Sequence, residues 1–467
     1  MTRDRHATAT ALAGPLAACW LIVLAPGIAP SRAMPPQEPA SAPAPSLPDA
    51  PIPPGQIPRP DLPPPADGGP RAYVYNTDES IRLFEARVAR NPRDYISCRI
   101  LGEFHEKRAE ETGDLACYGR AEAALRRSLE INPDYDKARA SLAAVLCSRH
   151  KFAEGLELAR GVLARDPANV DAMATLGDAL LEMGRYAEAE QTYRDLRKKG
   201  DAPQILARLA SLAEMKGDPD EALRLMGEAE AKARKAGGDR AAAWYRARLG
   251  DIAFVAGRVD EAESHYRSVP PKTDPYHDAT AALGRLRAGQ GKLDEAVDLY
   301  QKAVAIGPDP HMLAALGDLY VRLGRDAEAR PLFDRVVAIA DGKNEYLRVL
   351  SLFYSDHDRD LPRALELAER DLVDRKDIYG YDALAWALLK NNRPEEASKA
   401  MDEAFKPGLR DANLDYHAGL IQLRLGDKAK ARDHLARALA RNPAFSLRAE
   451  DARKALEALE KDESAKK

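Results

Sequence analysis

Cysteine is scarce, with four residues in 467 set far apart along the chain. That excludes a disulfide-stapled fold and an all-cysteine zinc site. Aromatic residues make up 6%, including three tryptophans, too few for a large β-sandwich. Neither sign of charge dominates: 70 Lys and Arg stand against 74 Asp and Glu, for a net charge of −4. A nucleic-acid partner needs a basic surface and is not expected. Catalytic signatures are missing too. No Gly-rich phosphate loop, nucleophile elbow or HExxH motif occurs. The nine histidines are scattered without metal-ligand spacing. No catalytic residue, metal ligand or cofactor is therefore expected. What remains is a chain 45% hydrophobic and 31% charged, apolar enough to build a core. Ala, Leu, Arg, Glu and Asp dominate it, a composition that favours helices.

Residues 1–33 read as a secretion signal. Arg3, Arg5 and His6 precede an apolar stretch over residues 11–29. Ser31-Arg32-Ala33 then sets small residues where a signal peptidase cuts. Pro26 and Pro30 forbid cuts after Ala25 and Ala29. The mature chain is expected to start at Met34 and to be exported, either periplasmic or secreted. Two alternatives compete: an uncut membrane anchor, although Pro15 and Pro26 interrupt it, and lipidation at Cys19. Residues 34–77 are expected to be a disordered linker, since 15 of the 36 residues over 35–70 are proline. Proline favours extended polyproline II, so at about 3.1 Å per residue the segment could reach on the order of 110 Å. It reads as a tether or a tolerated spacer.

From residue 78 the chain repeats itself. The second member of an apolar-small pair recurs at Gly102, Ala143, Gly177, Ala210, Gly250, Gly284, Gly317, Ser351, Ala385 and Gly419. The spacings are 41, 34, 33, 40, 34, 33, 34, 34 and 34. Another small residue follows twelve positions later, as at Ala189, Ala262, Ala296 and Ala329. Four further on comes a large one, such as Tyr193, Tyr266, Tyr300 or Phe333. Seven residues after the aligned position stand Gly184, Gly217, Gly257, Gly291, Gly324 and Gly426, with Asn392 in the equivalent place. Glycine and asparagine just past a helix end accept the left-handed conformation. Each unit is thus two helices, and stacking must cover the face one pair leaves wet. Gly317 is expected to meet Ala329 at a close helix approach, and damage to one unit is expected to stay near it.

This pattern resembles the tetratricopeptide repeat family. Leu176-Gly177, Leu180, Ala189 and Tyr193 match its motif in one unit, and Leu283-Gly284, Ala296, Tyr300 and Pro308 in another. The resemblance implies an all-α, right-handed α-solenoid of about ten helix pairs over residues 95–443. Residues 78–94 would be a degenerate half-repeat helix, and 444–467 a capping helix with a charged tail. First helices would line a concave groove that takes a peptide or a partner protein. The family's groove positions fall on Asp178, Asp251 and Asp318, which would make the middle of the groove acidic. They also fall on Trp244, Tyr379, Trp386 and Tyr416, which would serve as binding anchors, or as core if the register is shifted by one.

Other features read more plainly. Cys117 and Cys147 fall on the same edge of neighbouring units, as a disulfide or as two buried thiols. The polar run Ser355-Asp356-His357-Asp358-Arg359-Asp360 is read as a solvated turn rather than a metal site. Extra residues near 109–119 and a long helix over 219–236 read as tolerated insertions. The function expected is a non-catalytic protein-interaction scaffold of the cell envelope or exterior. A structural component of an envelope export or assembly complex, bound through its convex face, is the alternative; an enzyme comes third.

Overall fold

Most units are built on one contact, a small residue on the first helix facing a large side chain on the second. A Cβ at Gly177 would run into the Tyr193 ring, at Gly250 into Tyr266, at Gly284 into Tyr300 and at Gly317 into Phe333. Tyr193 and Tyr266 are among the largest fully buried side chains, and burying one such ring contributes about 1.5–3 kcal/mol. Gly317 therefore meets Phe333 rather than Ala329, which is buried one turn earlier on the same helix.

The computed structural model describes residues 76–465 apart from 113, 272, 274 and 275, so the expected signal and almost all of the linker lie outside it. Helix α1 (Thr77–Arg90) stands alone at the start. Ten pairs follow. They are α2 (Tyr95–Thr112) with α3 (Leu115–Ile131), α4 (Asp136–Ser148) with α5 (Phe152–Arg165), and α6 (Val170–Glu182) with α7 (Tyr186–Arg197). Next come α8 (Pro203–Met215) with α9 (Pro219–Lys235), α10 (Asp239–Val255) with α11 (Val259–Arg267), and α12 (Tyr276–Gly289) with α13 (Leu293–Ile306). The last four are α14 (Pro310–Arg322) with α15 (Asp326–Ala340), α16 (Leu347–Asp356) with α17 (Leu361–Asp374), α18 (Ile378–Lys390) with α19 (Pro394–Phe405), and α20 (Ala412–Leu425) with α21 (Lys428–Arg441). Helix α22 (Ala449–Ala465) ends the described chain. No strand occurs among the described residues, and the fold is an α-solenoid. The extra residues lengthen α2, α9 and α10 rather than the loops.

In nine of the ten pairs the turn is set by a left-handed residue at its expected place, the exception being α2 with α3. Asn392 has φ 59°, and His150 (φ 56°) and Asp358 (φ 49°) hold the same register without being glycine or asparagine.

The solenoid coils so tightly that its second superhelical turn rests on the first. The Glu182 carboxylate at the end of α6 accepts from the Arg375 guanidinium before α18 at 2.8 Å, 193 residues away. The Ile378 amide donates to the Tyr186 hydroxyl at 3.1 Å, and the Asn442 amide group donates to the Phe254 carbonyl at 2.8 Å. One hydrophobic cluster joins Leu181, Leu212 and Met215 to Ile378, Tyr379, Leu409 and Leu414. Units six apart are neighbours, so damage to one unit reaches another a full turn away.

Gly184 and Gly324 isolate that contact. Both follow a first helix, with φ 71° and 73°. A Cβ at Gly184 would strike the Lys376 carbonyl of the next turn, whereas at Gly324 it would meet nothing within 4 Å. Gly324→Ala should cost about 1–2 kcal/mol, the usual cost of left-handed alanine. Gly184→Ala should cost clearly more in chemical denaturation and raise hydrogen exchange around Ile378. Equal costs would mean that the turns do not touch.

Candidate binding surface

The aspartates expected to acidify the groove are paired with groups of the solenoid itself. Asp178 is buried, accepts from the Tyr193 hydroxyl at 2.7 Å, and takes two further bonds from the Arg208 guanidinium at 2.8 and 2.7 Å. Asp251 repeats the device. It accepts from the Tyr266 hydroxyl at 2.8 Å and from Arg248 at 2.9 Å, with Arg285 at 3.8 Å. Asp318 keeps a third of its side chain exposed and bonds His357 Nε2 at 2.7 Å. Burial works against a charged His357, but the Asp318 hydrogen bond and charge override it and hold the imidazole above its ordinary pKa. A cation from the first helix of a neighbouring unit, or from its end, approaches each of them, and Asp251 takes Arg248 from its own helix as well, so the groove positions are neutralised internally.

Three of the four expected anchors are core. Tyr379 is 5% exposed, Trp386 3% and Tyr416 4%. Tyr379 lies in the cluster between the two turns. Trp386 stacks on the His417 ring at 4.3 Å and donates its indole N–H to Asp356 at 2.8 Å. Tyr416 packs near Phe445, with ring centroids 5.9 Å apart. Trp244 is half-buried, edge-on to Tyr245 at 5.1 Å. The family register placed all four on the inner side, but inner here means between units and between turns.

Of the two readings of Cys117 and Cys147, the structure carries the buried thiols and not the disulfide. Both are free, buried thiols in different clusters, Cys117 beside Tyr118 and Cys147 beside Phe152, and Cys98 is free and buried as well. The polar run after α16 is drawn apart by partners elsewhere. Asp356 goes to Trp386, His357 to Asp318, Asp358 to Lys390 at 2.7 Å, and Asp360 caps α17 through the Arg363 amide. Among the described residues no group of three His, Cys, Asp or Glu could hold a metal ion.

Part of the inner side towards the carboxy-terminal end stays accessible; the family's groove positions include its Arg322, and sequence reasoning missed the part played by Asp356. Arg322 and Asp356 keep 31% and 25% of their side chains exposed, and both bind the segment around the start of α22. Asp451 accepts from Arg322 at 2.8 Å, and Asp356 accepts from Arg448 at 2.7 Å. The repeat register could have flagged Asp356, five residues after Ser351; nothing in the sequence marks Arg448. Buried carboxyls elsewhere pay for desolvation. Burial pushes Glu214, beside Arg248, and Asp309, the N-cap of α14, up to about 7.

A stacked helix-pair solenoid with a self-paired inner face is the class that fold and surface define. Tetratricopeptide repeat family models match residues 148–213 in one case and 207–278, 281–344 and 383–444 in another, together more than half of the chain. The chain belongs to the tetratricopeptide repeat family. Such repeats mediate protein–protein contact, and the chain is a protein-interaction scaffold. Among curated proteins it is similar to human Protein O-mannosyl-transferase TMTC1, 33% identical over 96 residues, which is 19% of this chain and 11% of that one. The chain thus spans about a tenth of that relative's length. Among solved structures it is similar to the APC/C hetero-tetramer Cut9-Hcn1, at 14% identity and TM-score 0.31 over 82% of this chain and 96% of the other. It is also similar to yeast Tom70, at 13% identity and TM-score 0.30 over 79% and 96%.

Trp386 tests the burial. Trp386→Ala should cost roughly 3–5 kcal/mol of stability, as for a large core side chain. Its fluorescence should be shielded from aqueous quenchers without any ligand. A variant that melts like the parent would return Trp386 to the surface.

Proposed function

We propose that the protein is a non-catalytic interaction scaffold of the cell envelope or exterior, held on its proline-rich tether. In this reading its partner docks at the carboxy-terminal end of the concave side, around α14, α16 and α18. One observation carries it. Asp178 and Asp251, inner positions of earlier units, are consumed by internal pairs, whereas Arg322 and Asp356 keep part of their side chains exposed and hold a stretch of polypeptide through charged contacts. A second reading keeps the scaffold but places the contact outside, as in a structural component of an export or assembly complex. It is favoured by Val373 on α17, a second helix, which is 70% exposed. The human relative's name describes a transferase, but its likeness covers a fifth of this chain, so an enzyme ranks third.

Photo-crosslinking in cells separates these readings. A photoreactive residue at Arg322 should capture a partner and one at Val373 should not. Capture only from Val373 would favour the outer face, and turnover of a small molecule by the purified chain would overturn both. The export arm stands on N-terminal sequencing, which should begin at Met34; an intact Met1 in the membrane fraction would refute cleavage.

A further inference from the structure

Asp356, Trp386 and Tyr416 come from the first helices of three successive units, α16, α18 and α20. All three converge on the guanidinium of Arg448, which lies in the turn before α22. Asp356 accepts from Arg448 at 2.7 Å while it also accepts the Trp386 indole N–H at 2.8 Å. The indole thereby fixes the carboxylate before any cation arrives. The Arg448 guanidinium lies over the Trp386 ring, 6.0 Å from its centroid, and its charge acts on the Tyr416 phenol against the burial that raises its pKa. A carboxylate, an indole face and a phenol hydroxyl together suit a planar, delocalised cation better than a compact ammonium. Lys390, over the same ring at 5.3 Å, sends its ammonium to Asp358 rather than Asp356.

We propose that these three residues form a guanidinium-recognition site that Arg448 occupies in cis, and that an arginine side chain of the protein partner takes its place. This rests on the concave-side reading above and names the chemistry of the partner. The pocket belongs to the repeats, and α22 supplies only the guest. Exchange needs no movement of the helix. Helix α22 is held separately by Ala449, Ala452 and Leu459, which are buried against α20 and α21. Arg448 reaches the site on a long flexible stem that keeps 27% of its side chain exposed. Asp356 and Asp318 hold the guanidinium charged against the desolvation it suffers there, so an incoming arginine would meet the same pull. The second contact, Arg322 with Asp451, is about one-third exposed on both sides and so is the weaker tether.

The test uses the full chain and two probes, N-acetyl-arginine amide and a synthetic peptide of residues 443–456, titrated by calorimetry. Arg448→Ala should bind both at least tenfold more tightly than the parent. The lysine counterpart of each probe should bind at least fivefold more weakly, and adding Asp356→Asn should remove the gain. If Arg448→Ala does not fold, Arg448→Lys keeps the charge and the stem and should show a smaller gain of the same kind. Binding no tighter than the parent's, equal binding of lysine and arginine probes, or indifference to Asp356→Asn would each overturn the proposal. Inner-face crosslinks in cells without any arginine binding would leave the concave-side reading standing and remove this inference. Arginine binding without inner-face crosslinks would do the reverse.

Discussion

Contact between successive superhelical turns governs the rest of this molecule. An open solenoid touches only its sequence neighbours, but here the ends of first helices in one turn meet the starts of first helices in the next. That seam holds Glu182 with Arg375, Tyr186 with the Ile378 amide, and Asn442 with the Phe254 carbonyl. Arg375 also lies within 3.9 Å of Asp371 and 3.7 Å of Asp377, while Arg348 bridges the same two acids. Buried ion pairs of this kind add little net stability, because desolvation offsets the attraction, but they are intolerant of a missing partner. They fix which unit sits on which, and the apolar cluster around Met215 and Tyr379 supplies the binding energy.

The same closure explains why a family-typical groove is not open along its whole length. Positions that face a peptide in a wide superhelix face a neighbouring unit in a narrow one. Asp178 and Asp251 are answered by a tyrosine of their own unit and an arginine of the next. An accessible part lies towards the carboxy-terminal end, where the chain folds its own turn against Arg322 and Asp356. A protein-interaction scaffold built this way offers a short, charged contact instead of a long channel.

Much of the fold was legible because the repeat is written in residue size. The aligned Gly177 and Gly317 announced the close approach, and Tyr193 and Phe333 announced what approaches. The seventh-position glycines announced the turns, although His150 and Asp358 adopt the same backbone with no local signal. Curvature was not legible. It depends on packing angles summed over six units, and a few degrees in each decides whether Trp386 faces water or His417. For the same reason Cys117 and Cys147, placed on one edge by the repeat, ended in separate clusters. The site around Arg448 was invisible because its members come from three units and a terminal turn.

A double-mutant cycle across the seam tests the closure most directly. Glu182→Gln and Arg375→Gln, singly and together, would be compared by chemical denaturation. Residues 193 positions apart in an open solenoid share no partner, and their effects should add within about 0.5 kcal/mol. Closed turns predict a coupling of about 1–3 kcal/mol. Simple additivity would contradict the account and reopen the groove.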